Sequence, residues 1–223
     1  MNLILKGKIN WLGREVVDIY VHCGKSSFMK RGGNIMTKGL KLKEIIVIAI
    51  LGALMGAVFT GLDSLYQPLQ TVLGPLGGDM IYGLYLISAL LSIYIVRKPG
   101  SAIIGSLIAG LVNLLMGSPY GIHIIVASFL QGAGVEIGTA IFRYKKYSII
   151  QMGLASIFAM ALVTVRDYVV FGFSMYANLI PIMLVVRAVS SVIFGAMLTI
   201  VLGKALKSTG VLNGFKINSE IKK

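Results

Sequence analysis

The chain has a single cysteine, Cys23, so neither an internal disulfide framework nor a cysteine metal cage can form. Two histidines, His22 and His123, are too few and too far apart for an H-E-x-x-H metal site. There is no G-x-S-x-G elbow and no P-loop lysine motif, so acyl transfer and ATP hydrolysis lack the residues they need. Charge is scarce as well: Asp, Glu, Lys and Arg together make up 13% of the chain, about half the ~25% of an ordinary soluble domain. These absences argue against an enzyme, call for no cofactor, and leave any energy coupling to a partner.

What is plentiful is apolar. Hydrophobic residues reach 57% and mean hydropathy is +0.87, more apolar surface than one water-soluble core of this size can hide. The fold class is therefore an all-α integral membrane protein. The net charge of +13 would suggest nucleic acid in a soluble protein. Here the basic residues fall between apolar runs, the pattern of cytoplasmic anchors beside anionic membrane lipid, and no nucleic-acid partner is expected.

Six apolar runs follow one another at about 44–61, 80–96, 101–117, 122–142, 148–166 and 180–203, each near the ~20 residues that cross a bilayer. Lys38, Lys41 and Lys43 precede the first, Arg97 and Lys98 join the second to the third, and Arg143, Lys145 and Lys146 join the fourth to the fifth. Lys204, Lys207, Lys216, Lys222 and Lys223 follow the sixth. The alternate connections, 62–79, 118–121 and 167–179, have no lysine or arginine. The positive-inside rule then predicts six transmembrane helices with both termini cytoplasmic and those three loops outside.

Residues 1–35 read differently, being polar to mixed and lacking the layout of a signal peptide. Lys30-Arg31-Gly32-Gly33 can be encoded entirely in purines, as a ribosome-binding site before Met36 would be. The expectation is a start at Met36, with 1–35 as upstream sequence; a disordered or interfacial arm is the alternative. The membrane domain is expected over 36–214 and a basic cytoplasmic tail over 215–223.

Ionisable and amide groups at membrane depth are costly unless paired or facing water, so they are the first candidates for a site. They are Asp79, Asn113, Gln131, Glu136 and Arg187, with His123, Arg166 and Asp167 near helix ends. Asp79, Tyr82 and Tyr85 are spaced by three, so they share a helical face, and Asp79 is expected in an outer loop at the mouth of its helix. Counted at ~1.5 Å per residue, Gln131 lies about 13 Å deep, Arg187 about 10 Å and Glu136 about 21 Å. Gln131 and Glu136 are ~140° apart and cannot both face one spot on a regular helix. Blander roles compete: Arg166–Asp167 as an interfacial ion pair, Arg187 neutralising Glu136, the tyrosines as interface anchors. Ala49, Ala53 and Ala57, beside Gly52 and Gly56, form a small-residue stripe suited to close helix contact, within this bundle or with a partner.

Several blocks in order then carry a family resemblance. Gly74-Pro75 through Tyr82-Gly83, Arg97-Lys98-Pro99-Gly100-Ser101-Ala102, Gly117-Ser118-Pro119 with Gly121, Gln131-Gly132-x-Gly134-x-Glu136, Arg187, and Thr209-Gly210-Val211-Leu212-Asn213-Gly214 resemble the YkoE-type S components. These are the substrate-binding membrane subunits of energy-coupling factor (ECF) transporters. The similarity runs from about Lys43 to Gly214. It implies an S-component bundle, a vitamin ligand (thiamine or its hydroxymethylpyrimidine precursor), and a transmembrane T component with ATPase subunits as partners.

Under that resemblance Asp79, Glu136, Gln131 and Asn113 take polar recognition of an aminopyrimidine, Tyr82 and Tyr85 stack, and Arg187 completes the substrate-binding set. Ala49, Ala53 and Ala57 become the contact with the T component. Three positions depart from the family pattern, where glutamate is commoner than Asp79, tryptophan than Tyr85, and an acid than Asn113. Asn113 removes a negative charge, which makes a neutral pyrimidine precursor, or another heterocycle, a competing ligand. Loops 62–79 and 167–179, with Tyr66-Gln67-Pro68, are expected to cover the ligand. Toppling of the whole component in the membrane is implied by the family alone. A solitary secondary permease is the alternative function, although no internal repeat is evident, and an assembly protein with mutually satisfied polar groups is a third.

Overall fold

The computed structural model describes residues 39–144, 147–170, 172, 178–212, 215 and 217. The expectations for 1–35, and most of those for 215–223, fall outside them. Among these residues eight α-helices and one π-helical segment follow in order: α1 Leu42–Leu73, α2 Pro75–Tyr85, α3 Ile87–Val96, α4 Ser101–Leu115, α5 His123–Ile141, α6 Ile149–Val170, α7 Ile180–Ser190, the π segment Ser191–Met197, and α8 Leu198–Ser208. Among the described residues five rods are long and apolar enough to cross a membrane: α1, α2–α3, α5, α6 and α7–α8. The sixth predicted span is α4, whose 15 residues make about 22 Å at 1.5 Å each.

Polarity is reversed relative to a water-soluble core. Ile46, Ile50, Leu54 and Val58 on α1, Phe129 and Ile137 on α5, and Val185, Val189 and Val201 on the last rod are exposed. Asp63, Asp79, Gln131, Glu136 and Arg187 are buried. That is the arrangement lipid demands, since apolar side chains have no reason to leave a hydrocarbon solvent while polar ones do.

The α2–α3 rod lies at the centre, and every residue of α3 is buried. Around it α1 packs on α4, α4 on α5, α5 on α6, and α6 on the π segment, while α2 packs on α7. Small residues make these approaches close. A Cβ on Gly134 or Gly138 would run into the Ala159 and Ala155 backbone of α6, and one on Gly52 would meet Gly105 and Ile108 of α4. Gly52 and Gly56 therefore face the bundle, leaving Ala49 and Ala53 half-buried and Ala57 exposed along its edge.

The first connection without lysine or arginine corrects the sequence reading. Residues 62–79 are not a loop: α1 continues to Leu73, α2 starts at Pro75, and only Gly74 (φ 63°) turns between them. Hydropathy falls after Gly61 because the side chains become polar, but no helix stop comes before Gly74-Pro75. Pro68 is held inside α1. Asp63 and Asp79 therefore sit on two helices rather than in loops. The loop expected over 167–179 begins later as well, since α6 runs to Val170.

At the opposite end the basic connection is tied down. Arg97 closes α3 in the left-handed region (φ 56°). Lys98 Nζ reaches Glu44 Oε2 at 2.6 Å and the Gly39 carbonyl at 3.1 Å. Glu136 Oε1 accepts from the Ala102 N–H at 2.9 Å, at the first turn of α4, and its Oε2 accepts from the Tyr144 hydroxyl at 2.8 Å. A carboxylate at a helix N-terminus satisfies an otherwise orphaned donor and meets the positive end of the helix dipole.

Candidate ligand-binding cavity

A cavity of about 470 Å³ opens among α1, α2, α4, α5, α6 and α7, within the range of small-molecule sites. Asp79, Tyr82 and Tyr85 reach it from α2, Asn113 from α4, Gln131 from α5 and Arg187 from α7. Six residues expected from the sequence thus meet in one place. Glu136 does not: it lies on another face of α5, bonded to Ala102 and Tyr144, as the angle between it and Gln131 requires. Arg187 does not neutralise Glu136 either.

Its partners are Asp79 and Asp167. Arg187 Nε donates to Asp79 Oδ1 at 2.7 Å, and Nη1 donates to Asp167 Oδ2 at 2.7 Å and to Thr164 Oγ1 at 3.1 Å. Its guanidinium lies 4.7 Å from the centre of the Tyr82 ring. Arg166 holds the other Asp167 oxygen at 2.7 Å, so the interfacial pair exists but belongs to a larger network. A buried charge alternation of this kind survives because each guanidinium meets a carboxylate in hydrogen-bonding geometry.

The cavity's other side centres on Asp63, which was not expected in the site. Tyr85 donates to Asp63 Oδ1 at 2.8 Å and Ser118 to Oδ2 at 2.5 Å, joining α1, α2 and the α4–α5 connection. Thr60 donates to Asn113 Oδ1 at 2.9 Å, which leaves the Asn113 amide as a donor. Aromatic faces fill the space between: Phe59 lies 5.3 Å from Tyr85, and Tyr66 meets Tyr120 edge-on at 5.7 Å. Burial holds the Tyr120 phenol above its ordinary pKa, so it remains protonated. A signal for Asp63 was available: Asp63-x-x-Tyr66 on α1 has the same spacing as Asp79-x-x-Tyr82 on α2.

Two properties decide what this cavity can hold. Asp63, Asp79 and Asp167 outnumber Arg166 and Arg187, leaving one formal negative charge. In addition Asp79 Oδ2 and the hydroxyls of Tyr82 and Tyr120 are buried with no hydrogen-bond partner. Buried polar atoms are rarely left so, and all three belong to residues that line the cavity.

Comparison with known proteins agrees with this architecture. YkoE of Bacillus subtilis (strain 168), named as a candidate HMP/thiamine permease protein, is 34% identical over 191 residues, covering 83% of this chain and 94% of its own. The chain belongs to the YkoE family of S components. A crystal structure of an S component of an ECF transporter superposes with a TM-score of 0.80 at 31% identity, covering 82% of this chain and 94% of that one. Residues 43–162 also match the family described as ABC-type cobalt transport system, permease component. This S component is a multi-pass membrane protein, and its relatives are transport subunits rather than enzymes.

Proposed function

We propose that this S component captures thiamine, or its hydroxymethylpyrimidine precursor, from the extracellular side and delivers it to an ECF importer. The observation that carries the reading is the set of unpartnered oxygens, Asp79 Oδ2, Tyr82 Oη and Tyr120 Oη, on residues lining a cavity with one excess negative charge. Asp79 Oδ2 accepts from the ligand's exocyclic amino group, while Gln131 and the Asn113 amide meet the ring nitrogens. Tyr82 and Tyr85 flank the aromatic rings. A thiazolium balances the excess charge and is attracted to the tyrosine faces. Asp63 supplies the acid that position 113 lacks, which favours the cation over its neutral precursor.

The orientation rests on the charge pattern of the loops: the cavity lies toward the connections without lysine or arginine, and the Arg97–Lys98 turn lies at the other end. The name of the cobalt family raises a metal ion as cargo. Among the described residues no three His, Cys, Asp or Glu side chains gather as metal ligands, and Asp79 and Asp167 are engaged with Arg187, which supports an organic ligand. A T component with its ATPases completes the importer, and the exposed edge carrying Ala49, Ala53 and Ala57 is the surface offered to it.

The test is titration of the purified protein with thiamine and with hydroxymethylpyrimidine, followed by tyrosine fluorescence or heat. Saturable binding of either at micromolar or lower concentration is expected. Absence of binding to both would discard the ligand assignment. Uptake that persists when the partner ATPases are inactivated would point instead to a solitary permease.

A further inference from the structure

The last rod contains a feature that the ligand contacts do not require: seven residues, Ser191–Met197, wound as a π-helix between α7 and α8. On its outer side Met183 and Arg187, four apart, mark the buried face and line the cavity. On its inner side Thr199 and Gly203, also four apart, mark the buried face, with Gly203 against the Tyr94 ring. Arg187 and Thr199 are twelve positions apart, and an uninterrupted α-helix would set them about 120° apart. A π-helical insertion absorbs one extra residue and takes back about 100°. Only with that correction do both faces point into the bundle.

The correction is anchored where it begins. Ser190 Oγ accepts from the Gly83 N–H at 3.0 Å and donates to the Met80 carbonyl at 2.7 Å, and Ser191 Oγ donates to the Arg187 carbonyl at 2.7 Å. Gly83 lets α2 come so close that a Cβ there would run into the Ser190 carbonyl. On α2–α3 the break at Leu86 lies beside the π segment, since Leu86 and Gly83 are among the nearest atoms to Gly195. The helix bearing Asp79 and the helix bearing Arg187 thus depart from regular winding side by side.

We propose that the π segment Ser191–Met197, pinned to α2 by Ser190, is a register device that turns Arg187 into the ligand cavity against Asp79. Its residues touch no ligand; they position one that does. This builds on the assignment of the cavity as the ligand site, but its test need not depend on the ligand. Phe194 is exposed within the segment. Deleting it removes the one extra residue, so a continuous α-helix holds Arg187 and Thr199 about 20° apart and keeps both faces in the bundle. Deleting the exposed Ile193 as well rotates everything before the segment by one position, so that residue 182 takes the place of residue 183.

The experiment uses the full chain with Cys23→Ser, bearing either Met183→Cys or Ile182→Cys, and a membrane-impermeant thiol reagent that reacts only in water. Met183 lines the cavity, whereas Ile182 is exposed on the apolar exterior. In the parent and in the equal-length Phe194→Ala variant, residue 183 should label and residue 182 should not. In the Phe194 deletion labelling should stay on 183; in the double deletion of Ile193 and Phe194 it should move to 182 and thiamine affinity should fall at least tenfold. Labelling that moves to 182 in the single deletion, or stays on 183 in the double one, overturns the proposal. If the double deletion does not fold, Ser190→Ala decides: it should at least double the 182-to-183 labelling ratio, and an unchanged ratio overturns the proposal. A parent that labels as expected but binds neither thiamine nor hydroxymethylpyrimidine refutes the ligand assignment and leaves the register result standing.

Discussion

Replacing Asp79 with asparagine tests the site at its most exacting point. One oxygen, Oδ1, lies 2.7 Å from Arg187 Nε, while Oδ2 is buried and unpartnered. Asparagine keeps the shape, so the change is electrical. A hydrogen bond to a charged group contributes about 1.5–3 kcal/mol, so losing the one from Oδ2 to the ligand should weaken thiamine roughly 10- to 150-fold. Stability should change less, because Arg187 keeps Asp167 at 2.7 Å. Arg187→Met is the harsher change, since it strands Asp79 and leaves Asp167 to Arg166 alone, and breaking a buried pair costs about 3–5 kcal/mol. Asp79→Asn combined with Arg187→Met should therefore unfold at a higher temperature than Arg187→Met alone. The assay is calorimetric titration of each variant alongside its thermal melt. A folded Asp79→Asn protein that binds thiamine as tightly as the parent refutes the argument, because Oδ2 would then not touch the ligand.

Further outcomes follow from the same geometry. Asp63→Asn should weaken thiamine about tenfold or more and hydroxymethylpyrimidine much less, since a unit charge about 8 Å away at an effective dielectric of about 20 is worth ~2 kcal/mol; equal losses for both ligands in parallel titrations would refute a charge role. Glu136→Ala should lower the melting temperature by several degrees, because the buried Ala102 N–H and Tyr144 hydroxyl lose their acceptor at roughly 1–3 kcal/mol each. Its effect on affinity should be smaller than that of Asp79→Asn, as titration would check. Burial, with the hydrogen bond to Glu136, raises the Tyr144 pKa in the folded protein. The unfolded chain ionises first, near ~10, so this phenol's contribution is complete below that pH and is lost as pH climbs beyond it. Melts between pH 8 and 11 should show a shallower alkaline decline for Tyr144→Phe; identical slopes would exclude this phenol as a source.

Much of the architecture follows from a one-dimensional property. A bilayer asks only that ~20 residues in a row be apolar and that the backbone satisfy itself, so hydropathy alone located six spans. The same solvent makes every buried polar group expensive, which is why Asp79, Asn113, Gln131 and Arg187 stood out as candidates before any fold was known. Helix geometry put Gln131 and Glu136 on different faces, because an angle along one helix is local information, but it did not say which of them would meet the cavity.

Tertiary structure decided the rest, for reasons no local pattern carries. Hydropathy marks where lipid ends rather than where hydrogen bonding ends, so the polar half of α1 was read as a loop, and Asp63 stayed out of the candidate site. Which carboxylate Arg187 would take depended on the packing of α2 and α6 against α7, across more than a hundred residues to Asp79. Glu136 looked like a ligand contact because it is buried and acidic; only the fold showed that a helix terminus had already claimed it. The π segment has no sequence signature at all, since its reason is the mismatch between two buried faces on one rod, and each face is set by different neighbours. Sequence determined which residues must avoid lipid; contacts between helices determined what each one met when it did.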